Sequence, residues 1–264
     1  MKITKQYYPR SILRTLFISS LLLSGCSQTP NTDSSVEKNV FYRSTTAEPR
    51  MIDHSWMSLS QWYHRHADHV TIAREKNPEI LFLGDSITES WAWGDGRLDV
   101  YQQYFGQYSA ENFAIGGDMT QNLLWRLQHG IDGSIAPNIT ILMIGTNNFL
   151  HQQQSPQEVS AGVKAVITQV QKNYPNTTIL TLGILPLHQS ADNNSRQYVA
   201  QTNQLIEQLA DNQSVFFLNF SDKFLDRQGN IPQALMTDYI HPTAKGLQIV
   251  AEHVAPVLKT WLGK

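Results

Sequence analysis

A serine, Ser86, stands two residues after the apolar run Ile80-Leu81-Phe82-Leu83-Gly84. A short apolar run closed by glycine reads as a buried strand. Open α/β sheets place their chemistry at the carboxyl ends of such strands. Ser86 is thus a candidate nucleophile, the alternative being an ordinary N-cap of the helix that follows. Two further strand-like runs end in hydrogen-bond donors: Gly117 after residues 109–116, and Asn147 after residues 139–144. Gly117 also reads as a turn glycine, with Gly116 as its neighbour. Near the C-terminus Asp238 and His241 stand three apart, and Pro242 restricts His241 to extended backbone. Asp238 has a second reading as a loop or cap residue.

These residue types suit acyl transfer. Serine is a weak nucleophile that needs an adjacent base. A histidine takes the proton and returns it to the leaving group, and a carboxylate fixes the histidine tautomer. Charge developing on the carbonyl oxygen needs preorganised donors, each worth roughly 3–4 kcal/mol. Glycine N–H groups and asparagine amides are such donors.

The elements that must carry these groups alternate. Strands are predicted over residues 80–84, 109–116, 139–144, 177–182 and 214–218. Helices are predicted over 55–76, 99–105, 120–129, from Pro156 onward, over 195–209 and from about Thr243. Ser155-Pro156 with Glu158 carries a capping box and a first-turn proline. Pro256 is placed to kink the last helix. Five strand–helix alternations predict a three-layer α/β/α sandwich on a five-stranded parallel sheet. In such a sheet Ser86, Gly117 and Asn147 share one edge.

The first helix has Trp56, Leu59, Trp62 and Tyr63 as its apolar side. His64, His66 and His69 read there as a solvated face and not a metal site, since no Asp, Glu or Cys completes the ligands. Trp91 and Trp93 read either as walls of an acyl or sugar pocket or as packing. No phosphate loop and no convincing dinucleotide fingerprint is present, so no cofactor is expected.

Composition is that of a globular chain, 41% hydrophobic and 16% charged over 264 residues. Residues 1–25 have the form of a signal segment: a basic start with Lys2, Lys5, Arg10 and Arg14, then Leu16-Phe17-Ile18-Ser19-Ser20-Leu21-Leu22-Leu23. Leu23-Ser24-Gly25-Cys26 resembles the lipobox of bacterial lipoprotein precursors, which predicts lipidation of Cys26, the chain's one cysteine. A plain secretory signal is the alternative. Residues 27–50, polar and aperiodic, are expected to be a tether with a reach of about 25–30 Å. The folded catalytic domain is then expected over 51–264, with the lipidated cysteine and tether over 26–50. By the same lipoprotein resemblance, Ser27 in place of the aspartate that retains lipoproteins at the inner membrane implies outer-membrane placement for a Gram-negative source. Without the signal segment the 20 basic and 22 acidic residues become a net −6, which argues against a nucleic-acid partner.

Four blocks, in order, resemble the SGNH (GDSL-type) hydrolases: Gly84-Asp85-Ser86-Ile87, Gly117, Gly145-Thr146-Asn147 and Asp238-x-x-His241. Residues 112–120, Leu124-Trp125-Arg126-Leu127 and Gly145-Thr146-Asn147-Asn148 look like the branch of the platelet-activating-factor acetylhydrolase catalytic subunits. Ile87 departs from the leucine of the GDSL name, and Asn148 from a frequent aspartate. The resemblance implies a flavodoxin-like sheet and a serine esterase. Ser86 is then the nucleophile, His241 the base and Asp238 its orienting carboxylate. Ser86, Gly117 and Asn147 form the oxyanion hole. It implies hydrolysis of short, acetyl-type esters on a small molecule, glycan or lipid. A lysophospholipase or thioesterase with a longer acyl pocket, and an inactive glycan- or lipid-binding scaffold, are the alternatives. Oligomeric state is not legible.

Overall fold

The computed structural model describes residues 43–263. The expected signal segment, Cys26 and residues 27–42 lie outside the described residues. Five strands form one sheet: β1 Ile80–Gly84, β2 Ala110–Asn112, β3 Ile139–Met143, β4 Thr178–Leu182 and β5 Val215–Leu218. The order is β2-β1-β3-β4-β5 and every pair is parallel. The chain therefore reverses its direction of winding at β1, and β1 is flanked by β2 and β3. That is the switch point at which doubly wound sheets bind ligands.

Among the described residues, eight α-helices join and cover the strands: α1 Leu59–Glu75, α2 Ser86–Glu89, α3 Arg97–Phe105, α4 Thr120–Gln128, α5 Thr146–Gln152, α6 Pro156–Asn173, α7 Asn194–Glu207 and α8 Ala244–Leu262. Alternate residues of β1 feed two cores. Leu81 and Leu83 pack with Leu123 and Leu127 of α4 and Val163, Val166 and Val170 of α6. Ile80 and Phe82 pack with Phe105 of α3 and Leu247, Val250 and Val254 of α8. Each such side chain contributes roughly 1.5–3 kcal/mol of burial. β1 is buried along its whole length, which is why it reads as an unbroken apolar run.

Most expected elements are present with ends moved by a few residues, as capping explains. Ser58 caps α1, so this helix begins at Leu59 and not at 55. Ser155 and Glu158 form the expected box at α6, and α8 continues through Pro256.

Four differences bear on function. The second strand, expected over 109–116, is regular only at Ala110–Asn112, although the Phe113 and Ile115 N–H groups still donate to the Phe82 and Gly84 carbonyls of β1. There the Asn112 side chain accepts from the Ala114 N–H and donates to the Thr88 carbonyl, turning the chain toward the end of β1. Helix α5, which carries Asn147, was not predicted. Residues 44–50, expected to be tether, belong to the fold: Ser44 and Arg50 are buried. The Ser44 carbonyl accepts from Thr120 Oγ1, and the Glu48 carbonyl from Asn122 Nδ2.

The histidines of α1 are the fourth. Only His64 is solvated, beside Asp68. His66 is buried, its Nε2 donating to the His129 carbonyl at 2.7 Å. His69 stacks on Phe113. Burial, reinforced by the Arg126 charge, lowers His66 to about 4, so it is neutral at pH 7. Among the described residues no group of three or more His, Cys, Asp or Glu is arranged to hold a metal. No described helix is long and apolar enough to cross a membrane.

Candidate active site

Ser86 is the first residue of α2, directly after β1. Gly84 lets this turn close, because a Cβ there would lie 2.5 Å from the Met143 carbonyl oxygen. Asp85 caps the helix, its Oδ1 accepting from the Ile87 N–H at 3.0 Å. Burial raises the Asp85 carboxyl to about 7, against the pull of that hydrogen bond and the His241 charge. As the first helical residue, Ser86 has no intrahelical acceptor for its own N–H.

His241 reaches Ser86 from the loop before α8. Its Nε2 lies 2.8 Å from Ser86 Oγ, and its Nδ1 2.6 Å from Asp238 Oδ2. Asp238 Oδ1 accepts from the backbone N–H groups of Ile240 and His241. Burial pushes Asp238 up, but the bonds from the His241 ring and from those two N–H groups outweigh it and hold the carboxylate well below its usual range. An ionised carboxylate only accepts. Nδ1 therefore carries the proton, and the Nε2 lone pair faces the serine hydroxyl. The turn needs a left-handed residue between the two groups, and Tyr239 supplies it at φ +61°. Such strain in a bulky residue is found where a site over-determines the backbone.

Gly117 and Asn147 approach from the neighbouring strands. Gly117 sits at φ +76°, and a Cβ there would lie 2.5 Å from Trp56 Cη2. Only glycine meets both demands. Asn147, in the first turn of α5, gives one amide hydrogen to the Asp118 carbonyl at 3.0 Å, leaving the other for the cavity. Asn148 has a different duty. It accepts from the Thr120 N–H and donates to Gln154 Oε1 and Thr120 Oγ1. An aspartate could not donate, so the departure at this position is matched by its partners.

These groups open on one cavity of about 480 Å³, lined by Ser86, Gly116, Gly117, Asn147 and His241. Its apolar wall is Trp56, Met57, Trp93, Leu150 and Ile240, and its polar end is the Arg65–Glu89 ion pair with His151. The two tryptophans of the sequence reading separate here. Trp93 lines the cavity, 5.4 Å from the His241 ring. Trp91 is buried edge-on against Phe105.

Beneath the cavity lies a charged hub that the sequence reading did not identify. Asp118, fully buried, accepts from Arg126 Nε at 2.8 Å and Trp62 Nε1 at 2.7 Å, with Arg50 Nη2 3.4 Å away. Burial pushes this carboxyl up; the two guanidinium charges and these hydrogen bonds pull it back. One signal was available: Arg126 falls on the apolar side of α4 among Leu123, Leu124 and Leu127, and a buried cation demands a partner.

A parallel sheet carrying a serine, a histidine–carboxylate pair and converging N–H donors on one edge defines a serine-hydrolase type of site. Comparison with known proteins assigns the class. Residues 82–249 match the GDSL-like lipase/acylhydrolase family. The chain is 33% identical over 211 residues to the human platelet-activating factor acetylhydrolase IB subunit alpha1, covering 80% of this chain and 85% of that protein. A structure described as a platelet activating factor from Streptococcus pneumonia superposes with a TM-score of 0.61 at 25% identity, over 74% of this chain and 92% of that one. A GDSL-like lipase from Bacteroides thetaiotaomicron superposes equally well, TM-score 0.61, at 17% identity over 75% and 97% of the two chains, a likeness of fold. The chain belongs to the GDSL-like lipase/acylhydrolase family and is an acylhydrolase.

Proposed function

We propose that this acylhydrolase is a serine esterase for short-chain, acetyl-type esters. The observation that carries the reading is the unbroken chain Asp238–His241–Ser86, at 2.6 and 2.8 Å, on the wall of a cavity that also holds three donors. Ser86 Oγ attacks the ester carbonyl as His241 Nε2 takes its proton. The oxyanion is received by the N–H groups of Ser86 and Gly117 and by Asn147 Nδ2. Collapse expels the alcohol, which takes the proton from His241. Water, deprotonated in turn by His241, then releases the acid and restores Ser86.

The acetyl preference is supported by relatives named acetylhydrolases. Replacing Ser86 by Ala is expected to abolish both hydrolysis of a chromogenic acetate ester and labelling by a fluorophosphonate, with the melting temperature kept. Retained turnover would refute the mechanism. Rates that climb from acetyl to palmitoyl esters would instead favour the lysophospholipase or thioesterase reading.

We further propose that Cys26 is lipidated and that the enzyme works at a bacterial cell envelope, most simply the outer membrane. The residues between Cys26 and the described fold would then join anchor to domain. Palmitate incorporation that is lost in Cys26→Ala is the expected result; incorporation that survives it would exclude this anchor.

A further inference from the structure

We infer that Arg50 is a positioning residue of the oxyanion hole: its guanidinium, held on the Gly116 carbonyl, turns the Gly116–Gly117 peptide so that the Gly117 N–H faces the cavity. The inference rests on the esterase reading and assigns a part to a residue that precedes the 82–249 match to the family.

Arg50 Nη2 donates to the Gly116 carbonyl oxygen. No described peptide bond is cis. Across a trans peptide the carbonyl and the next N–H point in opposite directions. A guanidinium on one side therefore aims the Gly117 N–H to the other. Gly117 lines the cavity, and its N–H has no acceptor among the described residues. A cation on the carbonyl also polarises the amide and strengthens its N–H as a donor.

The peptide needs such a clamp. It has glycine on both sides, so nothing in its own chain stops it from turning over. Turned over, it would present a carbonyl oxygen to a developing oxyanion.

Arg50 is itself held. It is buried between the indoles of Trp56 and Trp62, 5.7 and 5.8 Å from their centres, with Nη1 3.2 Å from Met57 Sδ. Neutralising Asp118 is not its main task, since Arg126 binds that carboxylate at 2.8 Å while Arg50 stands at 3.4 Å. Arg50's closest polar contact is the Gly116 carbonyl. The neighbouring residue sets a second donor in the same way, because the Asp118 carbonyl accepts from Asn147 Nδ2.

The test compares wild type, Arg50→Met and Arg50→Lys in three measurements: melting temperature, acetate-ester kinetics, and affinity for methylboronic acid, whose tetrahedral adduct on Ser86 places a negative oxygen in the hole. For Arg50→Met, kcat is expected to fall about 10–100-fold, part of the loss from deleting a donor outright. KM should move by less than about threefold, and boronate affinity should fall with kcat. Arg50→Lys, which keeps a charge without the planar fork, should fall between the two. It serves as the decisive variant if Arg50→Met does not fold. Unchanged kcat in the folded variant overturns the inference, as does a lost kcat with boronate affinity intact. A wild type that neither hydrolyses the ester nor binds the boronate would refute the esterase reading itself, and the inference with it.

Discussion

The two halves of the site are built on opposite plans. The oxyanion side draws on three strand ends and is underpinned by buried charge: Arg50, Asp118 and Arg126 are almost wholly out of solvent, and Trp62 completes the cluster. The base side is a single turn. Asp238 and His241 belong to one four-residue stretch, the Asp238 side chain is about half exposed, and its bonds run to its own neighbours. One half is fixed by tertiary structure and the other by local geometry. Damage to the first should therefore cost stability as well as rate, and damage to the second rate alone.

The sharpest way to break this contrast is His241→Ala. Activity should fall by about 10⁴–10⁶-fold, and adding Ser86→Ala should lower it no further, because the pair acts as a unit. The melting temperature should hold within a few degrees; a large fall would mean that the turn supports the fold after all. On the other side, Arg126→Met strands Asp118. Its cost, read by urea unfolding, should be about 3–5 kcal/mol. Wild-type stability there would show that the hub carries no energetic weight. Asn147→Ala should lower kcat about 10²–10³-fold for one lost donor. Its loss in stability should be about 1 kcal/mol, for the bond to the Asp118 carbonyl.

The smallest effect concerns pH. Burial holds His66 near 4 in the folded chain, while an unfolded histidine titrates near ~6.5. Between these values the unfolded chain binds the extra proton. The contribution of His66 is therefore full above about pH 7 and is lost as pH falls toward 4. Asp85 works in the opposite sense, since its raised carboxyl favours the folded chain at low pH and loses that contribution as pH rises through about 7. The measurement is thus a difference: the change in stability from pH 7 to 4 should be shallower in His66→Gln than in wild type. Equal slopes would remove His66 from the balance.

How far the sequence could be read follows the same division. β1 and β3 were legible because strands buried on both faces read as near-continuous apolar runs, interrupted in these two only by Thr140. Ser86, Asn147, Asp238 and His241 lie beside local punctuation, and the structure brings all four together. Helix α5 was missed because Thr146-Asn147-Asn148 offers no apolar stripe. The burial of Asn147 and Asn148 is met by side-chain hydrogen bonds instead. His66 and His69 were misjudged since a neutral imidazole packs like an aromatic ring, a state set by Trp62 and Trp125 around the first and Phe113 against the second. Arg50 was hidden in a polar stretch, for its partners Gly116 and Asp118 lie 66 and 68 residues away. Nothing local announces such a contact.

The distance between Ser86 and its base has a consequence in time. The two residues are 155 positions apart, and parallel sheets close their long-range contacts late in folding. A chain made from the N-terminus brings out Ser86 long before residue 241. Until the turn before α8 arrives and docks, the serine is an ordinary hydroxyl at a helix end. On the proposed mechanism the nascent chain would be chemically silent until the last helix is in place.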